Sequence, residues 1–166
     1  MALRLFEHNE KAYHAAVRMM EQYGKAAIVH PTGTGKSYIA FKLIEDNPEK
    51  VVLWLSPSEY IFKTQLESLK RNDPDFPLAN VHFYTYAKLM CCTQAQLDDI
   101  VAQKPAYIIL DEFHRAGAEC WGESTVALLK LCPEAKLLGL TATNVRYLDN
   151  NRDMPKSFLM AVLRAT

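Results

Sequence analysis

The chain has 166 residues, 49% of them hydrophobic and 23% charged, the make-up of one ordinary globular domain with a core of its own. Nineteen basic residues balance nineteen acidic ones, which excludes a diffuse electrostatic grip on nucleic acid and leaves only local contacts. No stretch reaches the roughly 18 apolar residues needed to cross a bilayer, and Met1-Ala2-Leu3-Arg4-Leu5-Phe6 lacks the apolar run of a secretory leader, so a cytoplasmic protein with no membrane partner is expected.

The first helical period runs over about 9–23 and leads into an apolar run at Ala26-Ala27-Ile28-Val29. Directly after it comes His30-Pro31-Thr32-Gly33-Thr34-Gly35-Lys36-Ser37, which opens into a second helical period over 36–46. Strand, glycine-rich turn, Lys-Ser and helix is the context that a phosphate-binding loop requires. Gly33 and Gly35 let the backbone approach an anion, and the amides and dipole of a helix start favour phosphate. In such a loop Lys36 reaches the β- and γ-phosphates of ATP, Thr32 and Thr34 lie beside them, and the Ser37 hydroxyl ligates Mg²⁺. His30 stands where the pattern usually begins with glycine.

A second buried strand is expected at Val51-Val52-Leu53-Trp54-Leu55, followed by a helix over 58–70, a weaker strand at Val81-His82-Phe83-Tyr84 and a helix over 94–103. Asn47-Pro48, Asn72-Asp73-Pro74 and Lys104-Pro105 mark loops between them. Then Tyr107-Ile108-Ile109-Leu110 runs into Asp111-Glu112-Phe113-His114, two adjacent acids at the carboxyl end of a buried strand, the edge at which open α/β sheets bind ligands. Strand alternation turns the two acids in different directions, so one can serve the magnesium shell while the other faces an attacking water. A helix over 121–131 and a last strand at Lys136-Leu137-Leu138-Gly139-Leu140 lead to Thr141-Ala142-Thr143. Continuous apolar runs alternating with helical periods predict an α/β fold with a mostly parallel sheet between two helical layers. Cys91, Cys92, Cys120 and Cys132 have no Cys-x-x-Cys spacing and are expected as reduced thiols.

Gly33-Thr34-Gly35-Lys36-Ser37, Asp111-Glu112-Phe113-His114 and Thr141-Ala142-Thr143 resemble motifs I, II and III of superfamily-two DExH helicases, in the family's order. Within that superfamily the wording is most similar to bacterial DEAD/DEAH-box proteins related to the motor subunits of type I and type III restriction enzymes. The resemblance implies a three-layer, RecA-like P-loop NTPase domain over 1–150, using ATP and Mg²⁺. It implies that Asp111 serves the metal, that Glu112 orients and deprotonates the hydrolytic water, and that His114 connects the nucleotide site to Thr141, Ala142 and Thr143. Asn9 takes the place of a glutamine that reads adenine in relatives, though an N-cap of the first helix is an equal reading. Ser56, Ser58 and Gln65, with Thr85 and Tyr86, resemble the loops that hold a nucleic-acid backbone, DNA before RNA. In the alternative the two serines cap a helix and Tyr86 packs in the core. Asn144 departs from the proline common after Thr-Ala-Thr, while Arg146 matches a frequent basic position.

A complete motor of this type closes a second RecA-like domain on the first, and the chain stops before one. Residues 151–166 diverge from the family and are expected to be a truncated or frame-shifted end. The leading expectation is therefore the ATP-binding half of a helicase or translocase. A catalytically silent nucleotide- or nucleic-acid-binding fragment and another P-loop NTPase or kinase are the alternatives; a kinase leaves Thr141-Ala142-Thr143 unexplained.

Overall fold

In the computed structural model, which describes residues 3–30, 35–112 and 119–141, helices and strands follow one another as α1 (Glu7–Tyr23), β1 (Lys25–Val29), α2 (Lys36–Asp46), β2 (Val52–Ser56), α3 (Glu59–Asn72), β3 (Val81–Thr85), α4 (Tyr86–Met90), α5 (Gln94–Ala102), β4 (Tyr107–Asp111), α6 (Glu119–Leu131) and β5 (Lys136–Thr141). All five expected strands form. Only α4 lies outside the expected elements, because Tyr86-Ala87-Lys88-Leu89-Met90 is too short to show a helical period. The Thr85 hydroxyl starts it by accepting the Lys88 amide at 3.0 Å.

The strands make one sheet in the order β1-β5-β4-β2-β3, and every pair is parallel. Burial explains the order: β2 and β4 are buried at every position and lie inside the sheet, whereas β3 is only half-buried along most of its length and forms an edge. The chain steps from β1 to β2 and β3, then turns back through β4 and β5. Right-handed crossovers in opposite directions put their helices on opposite faces. Accordingly Ala26, Ile28, Val52, Trp54, Ile109, Leu138 and Leu140 pack under α1, α2 and α3. Leu53, Leu55, Ile108 and Leu110 pack under α4, α5 and α6. Each Leu or Ile of β2 and β4 buried this fully contributes about 1.5–3 kcal/mol relative to exposure.

Helix α1 is fixed at its end and along its body. It stops at Gly24, whose φ of 77° places it in the left-handed region and lets its amide cap the Met20 carbonyl at 2.8 Å. Midway along, the Tyr13 hydroxyl ties it to α2 by donating to Asp46. Among the described residues no helix is long and apolar enough to cross a membrane.

Candidate functional site

Register brings the carboxyl ends of the strands to one edge. Val29 pairs with Thr141, Leu140 with Asp111, Leu110 with Leu55, and Ser56 with Thr85. The carboxyl ends of all five strands thus lie on the same side, the edge where ligands of open α/β sheets bind. The phosphate-loop strand and the Asp-Glu strand are not adjacent: β5 lies between them. Two strand spacings separate them by about 10 Å.

On the β1 side, the His30 amide continues the ladder by donating to the Thr141 carbonyl at 3.0 Å. Gly35 precedes α2 with φ 79° and ψ 30°, a left-handed conformation that frees the first helical amides to face the loop. Its carbonyl accepts from the Asn9 amide group at 3.4 Å, and a methyl added at Gly35 would stand 3.1 Å from that same nitrogen. Gly35→Ala is therefore expected to lower stability by about 1–2 kcal/mol and to weaken nucleotide binding, both readable by thermal melting with and without Mg·ATP. Lys36 is buried, and its ammonium donates to the His30 carbonyl at 3.0 Å. The His30 imidazole is held below its ordinary pKa, first by burial and then by His8 and Lys36. It is tilted against the His8 ring at 5.9 Å, and His8 stacks on Phe6.

On the β4 side, Asp111 ends the strand with 4% exposure. Burial first, and then Glu112, pushes its carboxyl up to about 6. The Gln65 amide opposes that rise by donating to Oδ2 at 3.1 Å. The nearby Trp54 indole N–H, buried and with no well-formed hydrogen bond among the described residues, opposes it more weakly. The next residue, Glu112, has φ 49°, a left-handed conformation uncommon for a side-chain-bearing residue. Strain of this kind persists only where surroundings hold it and is common at functional sites.

Several residues expected at the nucleic acid or the base are engaged elsewhere. Tyr86 is fully buried and donates to the Asp111 carbonyl at 2.8 Å, so its ring supports β4 and does not lie on a bound strand. Gln65 faces Asp111, its amide committed to a carboxylate. Ser56 is fully buried and donates to the Ser58 carbonyl, while the Ser58 hydroxyl caps α3 through the Tyr60 amide at 3.1 Å. The Thr85 hydroxyl caps α4. The Ser58 and Thr85 hydroxyls thus serve as helix caps and Tyr86 packs in the core. Asn9 is the third residue of α1, with 1% exposure. It is not an N-cap, since Phe6 holds that position, and its amide group donates to the Gly35 carbonyl.

Thr141 is fully buried at the end of β5, between the two halves of the site. Thr32, Gly33, Thr34, His114, Ala142, Thr143 and the end over 151–166 lie outside the described residues. Ser37 is half-buried in the first turn of α2. Trp54 beside Asp111 is not foreshadowed by any motif. Position parity on paired strands is the signal that finds it, since Trp54 pairs with Ile109, two residues from Asp111 and on the same face.

The donor set suits magnesium. Among the described residues no group of three His, Cys, Asp or Glu could cage a metal, and Mg²⁺ is characteristically held by one or two protein oxygens, with phosphates and waters completing the octahedron. The Ser37 hydroxyl and the Asp111 carboxylate are hard oxygen donors, and the carboxylate keeps acceptor capacity beyond the one bond from Gln65. Residues 2–146 match the family model described as type III restriction enzyme, res subunit. No curated protein matches the chain.

Proposed function

The chain belongs to the type III restriction enzyme res-subunit family, whose domains are helicase-like ATPases of RecA-like fold, and from that premise we propose that it is the nucleotide-binding half of a nucleic-acid motor, acting on DNA. The observation that carries the reading is the juxtaposition of Gly35-Lys36-Ser37 and Asp111-Glu112 on one sheet edge with β5 between them.

On this reading the helix start at Gly35–Ser37 receives the β- and γ-phosphates, and the Lys36 ammonium exchanges the His30 carbonyl for phosphate oxygens. Ser37 and Asp111 would hold the magnesium ion, which would supply positive charge against the charge that develops on the phosphates. Glu112 orients the attacking water and takes its proton, so that the γ-phosphoryl leaves for water and ADP departs. His114, Thr141 and Thr143 relay the change toward the nucleic acid. Asn9 acts on the loop through Gly35. The segments Ser56–Ser58 and Thr85 carry the nucleic-acid backbone chiefly through main-chain groups at their helix starts. Such a motor works in the cytoplasm, in keeping with Cys91, Cys92 and Cys132, which are all unbridged.

The test is Mg·ATP binding and steady-state ATPase of the 166 residues, with and without single-stranded DNA. Binding with slow turnover is expected, because the arginines that stabilise the transferring phosphate come from a second RecA-like domain and are worth roughly 10³–10⁵ in rate. Failure to bind Mg·ATP would remove the reading. Turnover strongly stimulated by DNA would mean that the site completes itself between copies. Glu112→Gln should keep Mg·ATP affinity and lose the residual hydrolysis, by roughly 10²-fold or more; unchanged hydrolysis in single-turnover assays would strip Glu112 of the role of base.

A further inference from the structure

Gln65 and Tyr86 come from the two segments expected to touch nucleic acid, yet both end on Asp111. Gln65 lies two turns into α3, the helix that Ser58 caps directly after β2, and its amide donates to the Asp111 carboxylate at 3.1 Å. Tyr86 opens α4 directly after β3, and its hydroxyl donates to the Asp111 main-chain carbonyl at 2.8 Å. One bond sets the carboxylate. The other sets the peptide plane between Asp111 and Glu112, and therefore the backbone from which Glu112 enters its left-handed conformation.

We propose that Gln65 and Tyr86 are positioning residues that couple a single-stranded nucleic-acid backbone, lying on the segments after β2 and β3, to the setting of Asp111 and Glu112. The inference rests on the proposed motor function and names how that site is regulated. A phosphate backbone that moves the starts of α3 and α4 moves two rigid arms with them. Both arms bear on one residue, from α3 on one face of the sheet and α4 on the other. The left-handed residue Glu112 is the element these two supports hold in place, since strain of this kind persists only where its surroundings fix it. Coupling of this kind is reciprocal: whatever factor the nucleic acid adds to nucleotide affinity, the nucleotide adds to nucleic-acid affinity.

The experiment uses the whole chain, a fluorescent ATP analogue titrated over a range of Mg²⁺ concentrations, and a mixed-sequence single-stranded DNA, with the matching RNA as a second arm. In the unmodified chain each ligand should tighten the other by about fivefold or more. Gln65→Leu and Tyr86→Phe should erase that mutual effect while leaving oligonucleotide affinity in the absence of nucleotide within about twofold. Gln65→Leu should also raise the Mg²⁺ concentration for half-maximal binding by roughly tenfold, the size of one charge-assisted hydrogen bond. In combination with Asp111→Asn it should add nothing further, because it acts through Asp111. Should Gln65→Leu not melt cooperatively, Gln65→Met keeps the length and removes the donor. Variants that keep full coupling, or that lose oligonucleotide affinity without nucleotide present, overturn the inference and leave the proposed function standing. Binding of both ligands by the unmodified chain with no mutual effect overturns it equally. If the unmodified chain binds no Mg·nucleotide, or neither DNA nor RNA, the proposed function fails and the inference falls with it.

Discussion

Lys36→Ala is expected to abolish Mg·ATP binding, a loss of about 100-fold or more in affinity. Lys36 is the first residue of α2, buried, with its ammonium on the His30 carbonyl. That bond joins a cation to a neutral oxygen. Phosphate oxygens are charged acceptors, and each hydrogen bond to a charged group contributes about 1.5–3 kcal/mol. Two such bonds correspond to at least two powers of ten in affinity, at about 1.4 kcal/mol for each. The fold itself should lose about 1.5–3 kcal/mol, the value of one hydrogen bond with a charged donor. Titration calorimetry with Mg·ATP beside a thermal melt separates the two effects. A variant that melts near the unmodified chain and still binds within threefold would show that the phosphates go elsewhere.

Asp111→Asn should do the opposite to stability, raising it by about 2 kcal/mol at pH 7.5 while the Mg²⁺ dependence of nucleotide binding is lost. The carboxyl has an ordinary value of 3.8 in the unfolded chain and is pushed up to about 6 in the fold, first by burial and then by Glu112. Between those values the folded chain binds more protons than the unfolded one, so stability falls as pH rises from about 4 to 6 and levels off above. A separation of about two units corresponds to roughly 3 kcal/mol against the fold at neutral pH, at about 1.36 kcal/mol per unit. An amide keeps the acceptor for Gln65 and removes the buried charge. Well below pH 3.8 the carboxyl is protonated in both states, so at pH 4 most of the advantage of the substitution should already be gone. Urea melts at pH 4 and pH 7.5 decide it: a variant equally destabilised at both would mean that the buried anion is not a cost to the fold.

Much of the architecture was legible from local patterns. Tyr107-Ile108-Ile109-Leu110 and Val52-Leu53-Trp54-Leu55 are apolar without alternation because both of their faces are covered. Helical periods between such runs leave little choice but a parallel sheet with helices on both sides. The loop at Gly35-Lys36-Ser37 was legible for the same reason: a left-handed residue, a cation and a hydroxyl are needed in consecutive positions, and consecutive positions are what a sequence displays. Asp111-Glu112 at a strand end was legible too, though not the left-handed turn at Glu112, since nothing in the residue type announces it.

The side chains of the expected nucleic-acid segments show the limit. Ser58 and Thr85 lie where either a contact or a cap is reasonable, and the fold uses their hydroxyls as caps. Gln65 and Asp111 are 46 positions apart, Tyr86 and Asp111 are 25, and no periodicity links residues at such separations. By itself the sequence determined the α/β class, the five strands and the residue types that can hold phosphate and magnesium, because backbone preference and hydrophobic periodicity act over a few residues. Only the tertiary structure decided that β5 separates the two halves of the site, and that Gln65, Tyr86 and Trp54 converge on Asp111. Strand order and register are set by which faces must be buried together, and that is a property of the packed sheet rather than of any one segment.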